Sequence, residues 1–267
     1  GGDPEIIISN SSHLNWWKNS QTYLLNFFEK HLKNNDTTKK ITNKNKIIWN
    51  ISFQKWDNIE HLPLNYEFGL ESDGNANFEI TDGSLTINSK SSGFVSIVHD
   101  PWRPVPSDGG HLGKNPGLFD RSKVDKRLDI AIFQTHYLKE NIHLSGIPAL
   151  HTAVKTDQES FDICAALSII NAGEEEIINQ FTTGFLRIKK AKKDIENIYI
   201  IKFHPTNITI TKGSKLRLSL SASAWPAIGV NPGNDKIRCG NITIDHKITT
   251  INFNLKNSIM KINPFFK

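Results

Sequence analysis

Ten histidines are scattered along the 267 residues. None is paired with a second histidine and a carboxylate at the helical spacing that a His-Glu-x-x-His zinc site requires. The chain has no Gly-x-Ser-x-Gly turn to lift a serine nucleophile, and no Gly-rich phosphate loop ending in Lys-Ser or Lys-Thr. A self-contained catalytic site is therefore not readable in it. The two cysteines, Cys164 and Cys239, lack the paired spacing of a metal site and make no disulfide framework. They read as ordinary core thiols. No metal and no cofactor is expected.

The most distinctive stretch is Asp100 to Gly110, Asp-Pro-Trp-Arg-Pro-Val-Pro-Ser-Asp-Gly-Gly. Three prolines fix φ along it and two glycines close it, which makes a rigid excursion between strands. Such a loop is expected to be pinned onto the body of the fold, with Asp100, Trp102, Arg103 and Asp108 at an interface or entrance. Trp102 and Arg103 have the chemistry to stack on or pair with a neighbouring domain. A sugar-binding face would need exposed aromatics, for which Trp49, Trp56, Trp102 and Trp225 are the candidates. Trp49 and Trp225 stand in apolar strand or turn settings and are expected in the core.

The elements that position these residues change character along the chain. Ile6-Ile7-Ile8 is an apolar run with strand length. Ser9 to Ser12 form a polar loop before His13. Leu14, Trp17, Leu24, Leu25, Phe28 and Leu32 then recur at helical spacing. Strand, loop and helix in that order read as one edge of an α/β unit. Residues 33–46 are polar and charged and read as a linker. From Ile47 the period becomes two. Phe161 to Ile169, Leu128 to Phe133 and Leu216 to Leu220 alternate. Further strands are expected at 47–53, 85–88, 94–99, 150–154, 181–188, 199–203, 207–211, 242–245 and 250–255. Many short strands separated by Gly and Asn turns, without helical patterning, predict a mainly β fold, a jelly-roll β-sandwich over residues 47–267.

The net charge of +5 and pI near 9.0 are modest for this length, and the lysines fall in short loop clusters. Solvated faces explain them better than nucleic-acid binding. No apolar run reaches the length of a membrane span, and no signal peptide is visible. With so few cysteines, a cytoplasmic setting is expected.

Taken in order, these segments resemble the C-terminal part of the CocE/NonD hydrolases. That family includes cocaine esterase, glutaryl acylases, α-amino acid ester hydrolases and, more distantly, X-Pro dipeptidyl-peptidases. His99-Asp100-Pro101, Pro104-Val105-Pro106 and Gly109-Gly110 resemble its DP-x-x-PVP-x-x-GG loop. Pro116-Gly117 with Asp120 resembles its PG-x-x-D segment, and Arg127-Leu128-Asp129-Ile130 its R-x-D-V-L strand. The run from Leu138 through Ile142, Leu144 and Gly146 to Pro148 resembles the segment that follows. Asp162, Gly184 with Arg187, Ala224-Trp225-Pro226 and Asn231 fit later family positions. The resemblance implies a galactose-binding-like jelly roll behind an α/β-hydrolase domain. Residues 1–32 would be the end of that domain, with residues 33–46 joining it to the jelly roll. It implies Ser-His-Asp acyl transfer in which His13 is the general base. Ser and Asp would lie outside this chain. The loop before His13 lacks the Gly, Pro and Trp of the family pattern.

Three functional readings follow. The first is the C-terminal part of a serine hydrolase, inactive alone, whose partners are an α/β-hydrolase domain and a small acyl ester, amide or peptide substrate. The second is a non-catalytic carbohydrate- or partner-binding sandwich. The third is one chain of a split or degenerate hydrolase.

Overall fold

The computed structural model describes residues 17–32, 47–52, 54–58, 65–87, 89, 91–110, 117–173 and 177–262. The chain divides into two compact units, residues 1–45 and 46–267. In the first, α1 spans Trp17–Leu32, with Leu24, Leu25, Phe28 and Leu32 exposed along it. The expected strand 6–8, His13 and the linker 33–46 lie outside the described residues.

The second unit is a mainly β sandwich. Its strands are β1 (Ile47–Asn50), β2 (Lys55–Asn58), β3 (Tyr66–Glu71), β4 (Ser84–Thr86), β5 (Phe94–His99), β6 (Phe119–Asp120), β7 (Ala131–Gln134) and β8 (Ile142–Gly146). They continue with β9 (Ala149–Thr156), β10 (Phe161–Ile170), β11 (Asn179–Ile188), β12 (Asn197–Lys202), β13 (Thr206–Ile210), β14 (Lys215–Ser221) and β15 (Thr249–Ile262). A small sheet runs β2-β1-β13-β8. A larger, curled one runs β12-β9-β15-β3-β4-β7-β14-β10-β11-β6, with β5 also on β15.

Alternation builds the core. Val95 and Ile97 of β5 turn inward while Phe94, Ser96 and Val98 face out. Phe133, Leu150, Ile163, Leu167, Leu218 and Phe253 join them in one buried cluster. Each such side chain contributes about 1.5 to 3 kcal/mol by leaving water, and a slip of one residue would lose all of them on a strand. In β15 the phase itself changes. Ile251, Phe253 and Leu255 are buried, Lys256 and Asn257 are exposed, and Ser258, Met260 and Ile262 are buried. The break lies in a register shift between Asn254 and Ile259, which is the work of a bulge.

Three sequence expectations are corrected. Residues 242–245 form no strand. Ile242 and Ile244 alternate with polar residues but are almost fully exposed, because no neighbouring strand meets them. Trp225 is 52% exposed rather than core, since it sits on a turn above the sheet. Cys239 is only half-buried, whereas Cys164 is buried in β10.

Candidate functional site

The Asp100–Gly110 loop is held to the sandwich along its length. Asp100 opens it as a tight turn: its Oδ1 accepts from the Trp102 N–H at 2.9 Å, and its carbonyl accepts from the Arg103 N–H at 3.0 Å. The Arg103 carbonyl accepts from Arg127 Nη2 at 2.8 Å. Arg127 is itself fixed by Asp129, at 2.8 and 2.6 Å, and that bond holds its guanidinium above its ordinary pKa. The middle of the loop runs parallel to Ser223–Trp225. Val105 N–H donates to Ser223 Oγ at 2.8 Å, Trp225 N–H to the Val105 carbonyl at 2.9 Å and Ser107 N–H to the Trp225 carbonyl at 2.7 Å. At its end, Gly109 has φ +69°, and a Cβ there would stand 2.4 Å from Phe119 Cβ. Only glycine meets both conditions.

This geometry places the four loop residues named from sequence. Asp100 is turned onto its own backbone. Trp102 is 59% exposed and packs against the His246 ring at 4.7 Å between centroids. The Arg103 side chain is exposed. Asp108 caps Gly109, its Oδ1 2.9 Å from the Gly109 N–H, and its carbonyl accepts from Gln180 Nε2 at 3.3 Å. The side chains of Trp49 and Trp56 are outside the description.

Behind the loop lie two buried charge clusters. In the first, Asp162 on β10 and Arg187 on β11 are cross-strand partners. Asn231 Nδ2 donates to Asp162 Oδ1 at 2.8 Å, and Arg187 Nη2 reaches the Gly229 carbonyl at 2.6 Å. His99 Nε2 lies 3.1 Å from the Asn231 carbonyl. Burial, the largest cause, lowers the His99 pKa below its ordinary 6.5. Three residues singled out separately in the sequence, Asp162, Arg187 and Asn231, thus converge on one point.

The second cluster escaped the sequence reading. Asp125 is buried. Its Oδ1 accepts from Arg121 Nε at 2.9 Å, and its Oδ2 from Ser219 Oγ at 2.9 Å and Arg217 Nη1 at 3.4 Å. Nothing in Val-Asp-Lys, a helical turn between loops, marks its aspartate as buried. Its partners come from β14 and from the turn before it.

Among the described residues no group of three or more His, Cys, Asp or Glu side chains could hold a metal ion. Among the described residues no helix is long and apolar enough to cross a membrane.

Residues 31–257 match the family model described as the X-Pro dipeptidyl-peptidase C-terminal non-catalytic domain. The chain belongs to that family. The match spans the whole loop network, from Asp100 through Asp125 and Asp162 to Asn231. Solved structures agree on the fold of this C-terminal domain. An α-amino acid ester hydrolase aligns over 90% of this chain and 44% of its own, at TM-score 0.69 and 18% identity. An aminopeptidase from a marine sediment Thaumarchaeota archaeon aligns over 95% of this chain and 46% of its own, at 0.68 and 14%. A CocE/NonD family hydrolase from Staphylococcus aureus aligns over 94% and 47%, at 0.55 and 12%. This C-terminal domain thus spans less than half the length of the hydrolases it matches. No curated protein is significantly similar to it in sequence.

Proposed function

We propose that this chain is the C-terminal part of a serine hydrolase of ester or amide bonds, inactive alone: residues 31–257 are a non-catalytic domain, and the segment before them belongs with an α/β-hydrolase domain of the same or a separate chain. The observation that carries the reading is the family match, together with hydrolases that align along nearly all of this chain while being about twice its length. The Asp100–Gly110 loop is the docking or substrate-entrance element. Trp102 and Trp225 supply exposed rings and Arg103 an exposed side chain, residue types enriched where proteins meet. The exposed apolar residues of α1 ask for a covering surface in the same way.

His13 is the general base of this proposal. The Ser Oγ of the catalytic domain attacks the acyl carbonyl while His13 takes its proton and returns it to the leaving group. An Asp of that domain orients the other imidazole nitrogen. The order strand, loop, His13, helix read from the sequence supports this role. The test compares p-nitrophenyl acetate hydrolysis by this 267-residue chain with that by the full-length gene product. The reading expects the chain alone to be inactive and the full-length protein to turn over. Turnover by the chain alone would overturn it.

A further inference from the structure

A cavity of about 340 Å³ opens on the outer face of β10, β11 and β14, under the loop from Val105 to Gly109 and the turn from Ser223 to Ile228. Small residues line it, Ala166 of β10 by its side chain and Ala165 and Gly184, whose side-chain positions turn toward the core, by their backbone. Gly184 cannot be enlarged: a Cβ there would meet the Lys202 carbonyl at 2.9 Å. Small residues keep the space open, and Val105 and Ile228 give it apolar walls. This volume is at the low end for a small-molecule site.

The charge around it is one-sided. Arg121 and Lys202 line the cavity, and among the described residues no Asp or Glu does. The Arg121 side chain is only 7% exposed, so its charge is held out of water. Its ion-pair partner among the described residues, Asp125, is shared with Arg217, itself 5% exposed. Two buried guanidinium groups thus stand on one carboxylate. Arg217 Nε is buried without a hydrogen-bond partner, and burial, the largest cause, lowers the Arg217 pKa. Arg121 gives Nε to Asp125 and Nη1 to Gln180, at 2.9 Å each. That leaves Nη2 as its nitrogen not engaged among the described residues. A buried positive charge without its counter-ion is costly, and an anion seated against it relieves that cost.

We propose that this cavity binds a small organic carboxylate with an apolar body. The carboxylate sits on Arg121, with Lys202 as a second cation, and the apolar part lies on Ala166, Val105 and Ile228. The site belongs to this chain alone and does not depend on the presence of a catalytic domain.

The test titrates the 267-residue chain with benzoate, benzyl alcohol and sulfate, following the amide NMR shifts of Ala165, Ala166, Thr183 and Gly184. Benzoate is expected to move these signals, and both benzyl alcohol and sulfate to bind about tenfold more weakly, because each lacks half of the recognition. Arg121→Gln and Ala227→Phe, the second a partly exposed position on the lining, should each weaken benzoate about tenfold. If Arg121→Gln does not fold, Ala227→Phe decides. Benzyl alcohol or sulfate binding as tightly as benzoate would overturn the proposal. So would unmoved signals at these residues, or a folded Ala227→Phe variant that binds benzoate unchanged.

Discussion

Asp162 and Arg187 face each other across β10 and β11 in a two-pronged ion pair, Nε to Oδ1 at 2.9 Å and Nη2 to Oδ2 at 2.8 Å. The fork matches the carboxylate in geometry as well as charge. The same carboxylate holds Asn231, whose Oδ1 accepts from the Gly233 N–H at 3.0 Å. One buried aspartate therefore ties the sheet to the 229–233 turn. Asp162→Asn leaves a guanidinium without its partner and should cost about 2 to 4 kcal/mol in urea unfolding. A double-mutant cycle with Arg187→Gln should show coupling of at least about 1 kcal/mol. Additive single effects would contradict the pairing.

Asp125 serves Arg121, Arg217 and Ser219 together. Asp125→Asn should destabilise by about 3 to 5 kcal/mol, since two buried cations then lose the carboxylate they share. A thermal midpoint within about 2 °C of the parent would show that the cluster is not a structural ion pair.

His99 makes stability depend on pH. Its folded-state pKa lies below the ordinary 6.5, chiefly through burial. The unfolded chain therefore binds the proton more readily at acid pH. The contribution is complete above 6.5 and is lost as pH falls through the folded pKa. His99→Gln keeps a donor for the Asn231 carbonyl and removes the titration. The parent should lose more urea stability than the variant between pH 7.5 and 5. Parallel losses in the two proteins would remove His99 as the cause.

Gly109 combines a left-handed φ with backbone packed against Phe119. Gly109→Ala should cost about 1 to 3 kcal/mol and loosen the end of the loop. Faster proteolytic cleavage between residues 100 and 117, with the rest of the sandwich intact, is the expected readout. Unchanged cleavage would show that the loop does not depend on this turn.

The sandwich was legible in the sequence because period-two alternation reports one buried face per strand. Val95 and Ile97 of β5 are read that way without ambiguity. The pattern misleads where tertiary partners decide. Ile242 and Ile244 alternate but have no neighbouring strand. Leu255 closes the recognisable part of β15, because the bulge after Asn254 changes phase and hides Met260 and Ile262. Strands β2 and β6 are too short to carry a period, whereas β3 (Tyr66, Phe68, Leu70) and β8 (Ile142, Leu144) do alternate and stand among turn residues that obscure them. In β10 every residue is buried. Asp162, Cys164, Ala166 and Ser168 read as an outward face, yet they lie under the loop and the 223–233 segment. The charge clusters depend on such long-range closure. Motif resemblance marked Asp162, Arg187 and Asn231 one by one, and only the fold brings them together. Asp125 had no local signal at all.

The central claim is that this chain completes a hydrolase in which His13 acts as base. The most direct measurement is kcat/KM for p-nitrophenyl acetate in the full-length gene product, with and without His13→Ala. A loss of about 10⁴-fold or more, with folding intact by circular dichroism, is the predicted result for a triad base. Activity within about threefold of the parent would contradict the account, because no general base removed from a triad leaves the rate standing.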